Sequence, residues 1–337
     1  MDDFRGLLAK VGNGESLGID EAERAFEIMT SGNATPAQMG AFLMGLKVRG
    51  ETAQELAGGS RALRAKVLRV RAPEGAIDIV GTGGDHHGTY NVSSCSAFVV
   101  AGAGVPVAKH GNRAFTSKSG AADVLSALGI GLEVPIEALE RALVEAKVCF
   151  LMAPRHHSAM RNVAGPRVEL APNRTIFNLL GPMSNPALVK RQHVGVFDRR
   201  WLKPVAEALG QVGLERALVV HGQDGMDELT TTTKSWAALL DNGKVTEIEI
   251  APEEIGVKRA NMADLKGGDA NHNAEAIHKV LAGEKNAFRD IVLLNSGAAL
   301  MVAGKAKDLR QGADLAAQSI DTGKAAAALA TLKRICA

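Results

Sequence analysis

Aromatic side chains are scarce in this chain, at 4% of residues with one tyrosine and two tryptophans. That leaves little from which to build a base-stacking surface. A surplus of one charge is missing too: 39 basic residues face 37 acidic ones, a formal net of +2. Such a balance gives no footprint for non-specific nucleic-acid binding. No apolar run reaches the length of a membrane span; even Ile291 to Val302 is interrupted by Asn295, Ser296 and Gly297. Cys95, Cys149 and Cys336 are odd in number and widely spaced, which reads as buried free thiols in a reducing compartment rather than a disulfide framework. The opening Met1-Asp2-Asp3-Phe4 lacks the basic and apolar regions of a secretion signal, so the expectation is a cytoplasmic protein. Repeats, low-complexity tracts and long charge blocks are absent as well.

What is present reads as ordinary globular protein: 46% apolar and 23% charged residues over 337 positions, a length that suggests roughly two domains. With 37 glycines, the composition suits an α/β protein with many tight loops. Residues 1–70 read as short helices without a strand. Asp20 and Glu23 form a D-x-x-E cap ahead of the stripe Ala22, Ala25, Phe26 and Met29. Thr35-Pro36 starts a second helix, carrying Met39, Phe42, Leu43 and Leu46 and stopping at Gly50, and Thr52 with Glu55 boxes a third. Three such helices make a thin core, which leaves a partner surface as a second reading of their stripes.

After a joint at Pro73 and Gly75, strands are expected at 76–80, 105–109, 148–152, 193–197 and 216–221. Helices are expected between them at about 93–104, 119–128, 136–147 and 200–212, an alternation that argues for a mostly parallel sheet covered by helices. Asn242-Gly243 between two strand-like runs, 236–241 and 244–250, predicts a type I′ hairpin. Further helices are expected near 271–283, 286–303 and 307–335. The predicted fold class is α/β, with a small all-helical domain and a large domain on a mostly parallel sheet.

The stretch Gly81-Thr82-Gly83-Gly84-Asp85, running on to Asn91-Val92-Ser93-Ser94, joins a buried strand to a helix N-terminus. Glycines there let an anion approach main-chain N–H groups, and the helix dipole favours negative charge. A tight turn with no ligand explains the glycines equally well on spacing alone. The turn matches neither G-x-G-x-x-G nor the GK[ST] ending of a P-loop, which argues against a Rossmann enzyme and a P-loop NTPase. Lys109-His110-Gly111-Asn112-Arg113, with Ser117 to Gly120 behind it, places cations and hydroxyls at the expected carboxyl edge of the same sheet, fit for a phosphate monoester or polyphosphate. A solvated basic loop is the alternative. Asp227-Glu228, on a strand-end loop, suits Mg²⁺, which takes one or two carboxylates and completes its shell with water and phosphate. Alone, an acidic pair is commonly just solvated. Between Pro154 and Pro186, Arg161 and Arg167 offer bidentate grips for a carboxylate, or plain surface charge. His156 and His157 point to different sides of a regular element, which argues against one zinc ion held by both.

Taken together, G-T-G-G-D at 81–85, N-V-S-S at 91–94, K-H-G-N-R at 109–113, S-K-S-G-x-A-D-V-L at 117–125, H-H-x-A-M at 156–160, R-T-I-F-N-L-L-G-P-x-x-N-P at 174–186 and D-E at 227–228 resemble the anthranilate phosphoribosyltransferase family, in the family's order and across essentially the whole chain. The resemblance implies a nucleoside-phosphorylase-like phosphoribosyltransferase fold. Its helical domain would span 1–72, joined by about 170–190, and its catalytic α/β domain 73–337. It implies a homodimer formed through the helical domain, 5-phosphoribosyl 1-diphosphate and anthranilate as substrates, Mg²⁺ as cofactor, and no nucleic-acid or membrane partner.

By position, Gly81, Gly84, Asp85, Thr89, Asn91, Val92, Ser93 and Ser94 resemble the family's contacts to the phosphoribosyl donor. So do Lys109, His110, Gly111, Asn112, Arg113, Ala114, Phe115, Thr116 and Ser117, the loop that closes over it, and Ala121. Ser93, Asp227 and Glu228 look like metal ligands. Gly81, Asn112 and Arg167 look like anthranilate contacts, with His110 and His157 along its path. The sequence departs from the pattern at His86, where the family often has Gly, at Ser94, where it has Thr, and at Ala121, where it has Ser. His86 bears on the mobility of the loop. No residue is singled out as a general acid or base. A pyrimidine nucleoside phosphorylase and a non-catalytic nucleic-acid-binding relative share the architecture. Arg167 and the acidic pair argue against the first, the neutral charge balance against the second.

Overall fold

The computed structural model describes residues 2–85, 87–113 and 119–337. It begins with four helices, α1 (Asp2–Gly12), α2 (Ile19–Thr30), α3 (Pro36–Arg49) and α4 (Ala53–Ala65). Thr35 and Thr52 cap α3 and α4 as their sequences predict, each accepting from the N–H three residues on. The start of α2 differs from expectation. Gly18, not Asp20, is its N-cap, because the Glu21 carboxylate reaches back to the Gly18 N–H at 3.0 Å. Asp20 falls in the first turn, and the expected stripe Ala22, Ala25, Phe26 and Met29 is fully buried all the same.

Strand and helix then alternate: β1 (Ile77–Gly81), α5 (Val92–Gly102), β2 (Val107–Gly111), α6 (Ala121–Ala127), α7 (Ile136–Glu145), β3 (Val148–Met152), α8 (Ala153–His156), α9 (Arg161–Glu169), α10 (Phe177–Met183), β4 (Arg191–Gly195), α11 (Leu202–Gln211) and β5 (Arg216–Gly222). A hairpin, β6 (Ser235–Asp241) and β7 (Lys244–Ile250), turns at Asn242-Gly243 with both residues at positive φ, as a type I′ turn requires. Helices α12 (Ala270–Leu281), α13 (Ala287–Val302), α14 (Leu309–Asp321) and α15 (Lys324–Ile335) complete the chain. The expected run 307–335 is two helices because Gly323 turns through φ 74.

The sheet order is β3-β2-β1-β4-β5-β6-β7, with the first five strands parallel and the hairpin antiparallel. From β1 the chain winds outward through β2 and β3, then returns to lay β4 on the other side of β1. The crevice between the carboxyl ends of β1 and β4 is therefore the switch point at which open α/β sheets bind ligands. Strand β2 lies two residues later than expected. Pro106 has no N–H to give a ladder, and its carbonyl only receives Ile77, while Val107 donates to Lys147. His110 and Gly111 thus stand inside the sheet rather than after it.

Strand residues alternate between two cores. Ile77, Ile79, Leu218 and Val220 pack with α5 and α13, whereas Val80, Val194, Ala217 and Val219 pack on the opposite face. That second core is continuous with the helical unit. It holds Phe26, Phe42, Val163, Phe177 and Leu180, and Phe26 meets Phe177 edge to face at 5.4 Å. Contributions from α9 and α10 supply what the N-terminal helices alone lack. Among the described residues, no helix is long and apolar enough to cross a membrane.

Candidate active site

At the switch point the turn after β1 is built around one carboxylate. Gly83, at φ 68, donates its N–H to Asp227 Oδ2 at 2.6 Å. Thr82 extends the ladder to Gly195 through its N–H and receives the Phe197 N–H on its hydroxyl. Asp227 can cross here because β1 and β4 both end in glycine: a Cβ on Gly81 would stand 2.6 Å from Asp227 Oδ2, and one on Gly195 1.5 Å from its carbonyl oxygen. The crossing loop closes on itself, with the Gly222 N–H on the Met226 carbonyl and the Thr230 and Thr232 hydroxyls on Asp224.

Asp227 and Glu228 are each 9% exposed. Loss of water, and next the Asp85 charge, push Asp227 up to about 7. Burial and the Asp227 charge push Glu228 well above the usual carboxylate range, against the pull of Lys109 and of the Ser93 N–H. Lys109, the last residue of the expected strand, lies buried in mid-β2, where its Nζ donates to Ile79 O at 2.6 Å and Ser93 Oγ at 3.2 Å. Burial lowers its ammonium below the usual lysine range. Beneath it Asp78 accepts from the His110 N–H and the Gln192 amide. Asp227, Glu228, Lys109 and Ser93 thus come together beside Gly81, with the Asp85 charge near enough to act on Asp227.

The rest of the turn is held from far along the chain. Thr89 bridges to Lys266, Tyr90 donates to Leu265 O, and Lys266 Nζ reaches His87 O at 2.8 Å. Asn91 leaves the α5 cap unmade. It accepts from Asn273 Nδ2 at 2.9 Å and donates to Ser119 O at 3.5 Å. Val92 is a core residue, and Ser94 is buried with its hydroxyl unpartnered among the described residues. Gly111 ends β2; Asn112 and Arg113 follow it at the surface, Arg113 pairing with Asp123 at 3.2 Å, and Ala121 heads α6 behind them. His86, Ala114, Phe115, Thr116, Ser117 and Lys118 lie outside the described residues. The sequence singles out Lys266, Asn273 and Asn295 for no role here. Nor does it single out Arg174, whose guanidinium lies 4.1 Å over the Phe197 ring and bonds the Gly84 carbonyl.

A second cluster brings His110 and His157 together, ring centroids 5.2 Å apart, both with a buried Nε2 that has no hydrogen-bond partner among the described residues. Burial, foremost, holds His110 well below its ordinary value and His157 at about 4, so both imidazoles are neutral near pH 7. His156 is turned away, its Nδ1 on the Leu68 carbonyl. Arg167, in the last turn of α9, is half-buried over the Phe177 ring at 5.2 Å, and burial lowers its guanidinium. No ion pair among the described residues includes it.

Crowded, buried carboxylates beside a serine hydroxyl fit a hard divalent cation. Among the described residues no three His, Cys, Asp or Glu side chains gather at metal-holding spacing. The Asp227-Glu228 pair suits magnesium, which takes one or two carboxylates and completes its shell with water and phosphate oxygens.

Residues 5–67 match the helical bundle domain of the glycosyl transferase family, and residues 73–326 match that family's a/b domain. Fold and site together define a two-part glycosyl transferase. Anthranilate phosphoribosyltransferase of Brucella suis biovar 1 (strain 1330) is 57% identical over 337 residues, which is 100% of this chain and 98% of the relative. The crystal structure of the anthranilate phosphoribosyltransferase of Thermus thermophilus superposes with a TM-score of 0.92 at 41% identity, covering 98% of this chain and 99% of that one. That of Saccharomyces cerevisiae, in complex with PRPP and Mg, gives 0.89 at 25% identity, covering 99% and 97%. The chain belongs to the anthranilate phosphoribosyltransferase family.

Proposed function

We propose that this protein transfers the 5-phosphoribosyl group of 5-phosphoribosyl 1-diphosphate to the amine of anthranilate, giving N-(5-phosphoribosyl)anthranilate and diphosphate. The observation that carries the reading is the crossing of Asp227-Glu228 over the β1/β4 switch point, against Gly83 and Ser93. The yeast relative's complex with PRPP and Mg supports it.

In this reading the Gly81 to Asp85 turn and the start of α5 receive the diphosphate. Ser93, Asp227 and Glu228 would hold Mg²⁺, which would neutralise charge on the leaving group. The amine forms a bond to the anomeric carbon as the carbon–oxygen bond to diphosphate breaks and its electron pair leaves with the diphosphate; the amine then loses a proton to water. An aromatic amine already has a free lone pair, so positioning and stabilisation of the leaving group supply the acceleration, without a strong base. Arg167 and Asn112 receive the anthranilate, and the neutral imidazoles of His110 and His157 line its path.

We assign the helical domain to 1–72 with about 170–190, and the catalytic domain to 73–337. The shared packing of Phe26 and Phe177 supports this division. A homodimer through the helical domain is supported by Val48 on α3, an apolar side chain exposed at 82%. The buried free thiols of Cys95, Cys149 and Cys336 support a cytoplasmic setting.

The test is anthranilate fluorescence on mixing with 5-phosphoribosyl 1-diphosphate. The expected result is a donor-dependent decay that Mg²⁺ supports and a chelator stops. A folded protein that leaves the fluorescence constant overturns the reading.

A further inference from the structure

Leu229 directly follows the carboxylate pair, and one side chain holds both of its backbone polar groups. Asn295, fully buried on α13, accepts the Leu229 N–H on Oδ1 at 3.0 Å and donates from Nδ2 to the Leu229 carbonyl at 2.8 Å. Nδ2 also donates to Ile291 O at 2.9 Å, one turn back, and His193 Nε2 lies 3.1 Å from Oδ1. With both amide protons given to carbonyls, Oδ1 only accepts, so Nε2 of His193 carries the proton. All four contacts agree on one orientation of the amide. The clamp does for Leu229 what a neighbouring strand would do, at a point where the chain has left the sheet.

The residues just before it need such a hold. Asp227 is drawn to the Gly83 N–H and Glu228 to the Ser93 N–H, on two different elements, while burial and mutual repulsion work against both. Gly222 on Met226 and Thr230 on Asp224 close the loop on itself, and its other outside ties, the Gln223 N–H on Lys234 O, the Thr230 N–H on Ser235 Oγ and the Ala260 N–H on Thr231 O, lie away from the pair or beyond Leu229. Asn295 holds the residue next to the pair, from a helix packed into the core of the sheet.

We propose that Asn295 is a positioning residue for Asp227 and Glu228: its grip on Leu229 sets where the two carboxylates stand and so how well the site holds a divalent cation with diphosphate. The inference rests on the metal site of the reading above, which the experiment therefore tests separately. Affinity for inorganic diphosphate is measured calorimetrically with Mg²⁺ and with chelator, without turnover. Affinity for anthranilate is measured by fluorescence titration, and folding by thermal melting.

The wild-type protein is expected to bind diphosphate more tightly with Mg²⁺; no such gain would remove the metal reading and this inference with it. Asn295→Ala is expected to lose about tenfold or more of that gain, the scale of losing a group that orients a metal ligand, and to keep its anthranilate affinity. A folded variant with the gain intact overturns the proposal. Equal losses with magnesium, with chelator and for anthranilate also overturn it, since they mark general damage. Should Asn295→Ala fail to fold, His193→Leu loosens the clamp from the other side by removing one donor to Oδ1. It is expected to reduce the magnesium-dependent gain in the same sense, and an unchanged gain overturns the proposal.

Discussion

The backbone carbonyl of Asp227 lies over Gly195 at a distance that leaves no room for a side chain, since a Cβ there would stand 1.5 Å from the oxygen. The obstacle is backbone, not the end of a flexible side chain, so a methyl group must move the loop. Gly195→Ala is therefore expected to lower magnesium-dependent turnover at least as far as Gly81→Ala, whose Cβ meets the Asp227 carboxylate at 2.6 Å. Overpacking of this kind costs roughly 1–3 kcal/mol of stability. Kinetics and thermal melts of the two variants check it; wild-type turnover in Gly195→Ala would mean that the loop is free to lift.

Asp227 and Glu228 are placed for binding at the expense of stability. Each is buried, and each stands near another carboxylate that makes its ionised form less favourable. Glu228→Gln keeps the shape and removes the charge. Its expected outcome is a loss of magnesium-dependent activity of about a hundredfold or more together with a higher melting temperature, the trade of stability against function common at strained sites. A lower melting temperature without Mg²⁺ would show that the ionised carboxylate is stabilised by its neighbours rather than tolerated.

How far the site can be read from sequence follows from how local its causes are. The strand, glycine turn and helix start around Gly81 to Ser94 are legible because each step is written in adjacent residues, as are the Thr35 and Thr52 caps. The α2 cap is not, because Asp20 and Glu23 satisfy the same pattern that Gly18 and Glu21 fulfil in the fold. Lys109 reads as a strand-end cation rather than a buried mid-strand one because its strand begins two residues later than the apolar run, a shift that Pro106 imposes. Asn273 and Asn295 are beyond reach for another reason. Their partners, Asn91 and Leu229, lie 182 and 66 residues away, and only the sheet topology brings them together. In the sequence Asn295 registers merely as a break in an apolar run.

Arg167 combines burial over an aromatic ring with the lack of any carboxylate partner among the described residues. A guanidinium so placed is ready for an anionic ligand, and a bidentate grip on a carboxylate is what distinguishes it from lysine. Arg167→Ala is expected to raise the anthranilate KM by about ten- to a hundredfold, the scale of a lost charge-assisted hydrogen bond, and to leave the KM for the phosphoribosyl donor close to wild type. Arg167→Lys should restore only part of the loss. Steady-state kinetics with each substrate varied in turn decides; a change confined to the donor would move Arg167 out of the anthranilate site.

His193 makes the pH dependence of folding testable at one residue. It is fully enclosed on β4, and burial lowers it from 6.5 to about 4, its bond to Asn295 opposing. An unfolded chain takes up this proton as the pH falls through 6.5, while the folded one resists until about 4. The unfolded state therefore binds more protons in that window. The contribution of His193 to stability is complete above 6.5 and is lost as the pH falls toward 4. Between pH 7 and 5 linkage makes this about 2 kcal/mol. Other groups titrate in the same range, Asp78 at about 6 in the opposite sense, so the comparison must be with a variant. His193→Gln cannot take up a proton, yet its amide can donate to Asn295. Urea unfolding at the two pH values is expected to show the wild type losing about 2 kcal/mol more than the variant on acidification. Parallel losses would mean that the folded protein takes up a proton on the buried Nδ1 of His193 as readily as the unfolded chain does.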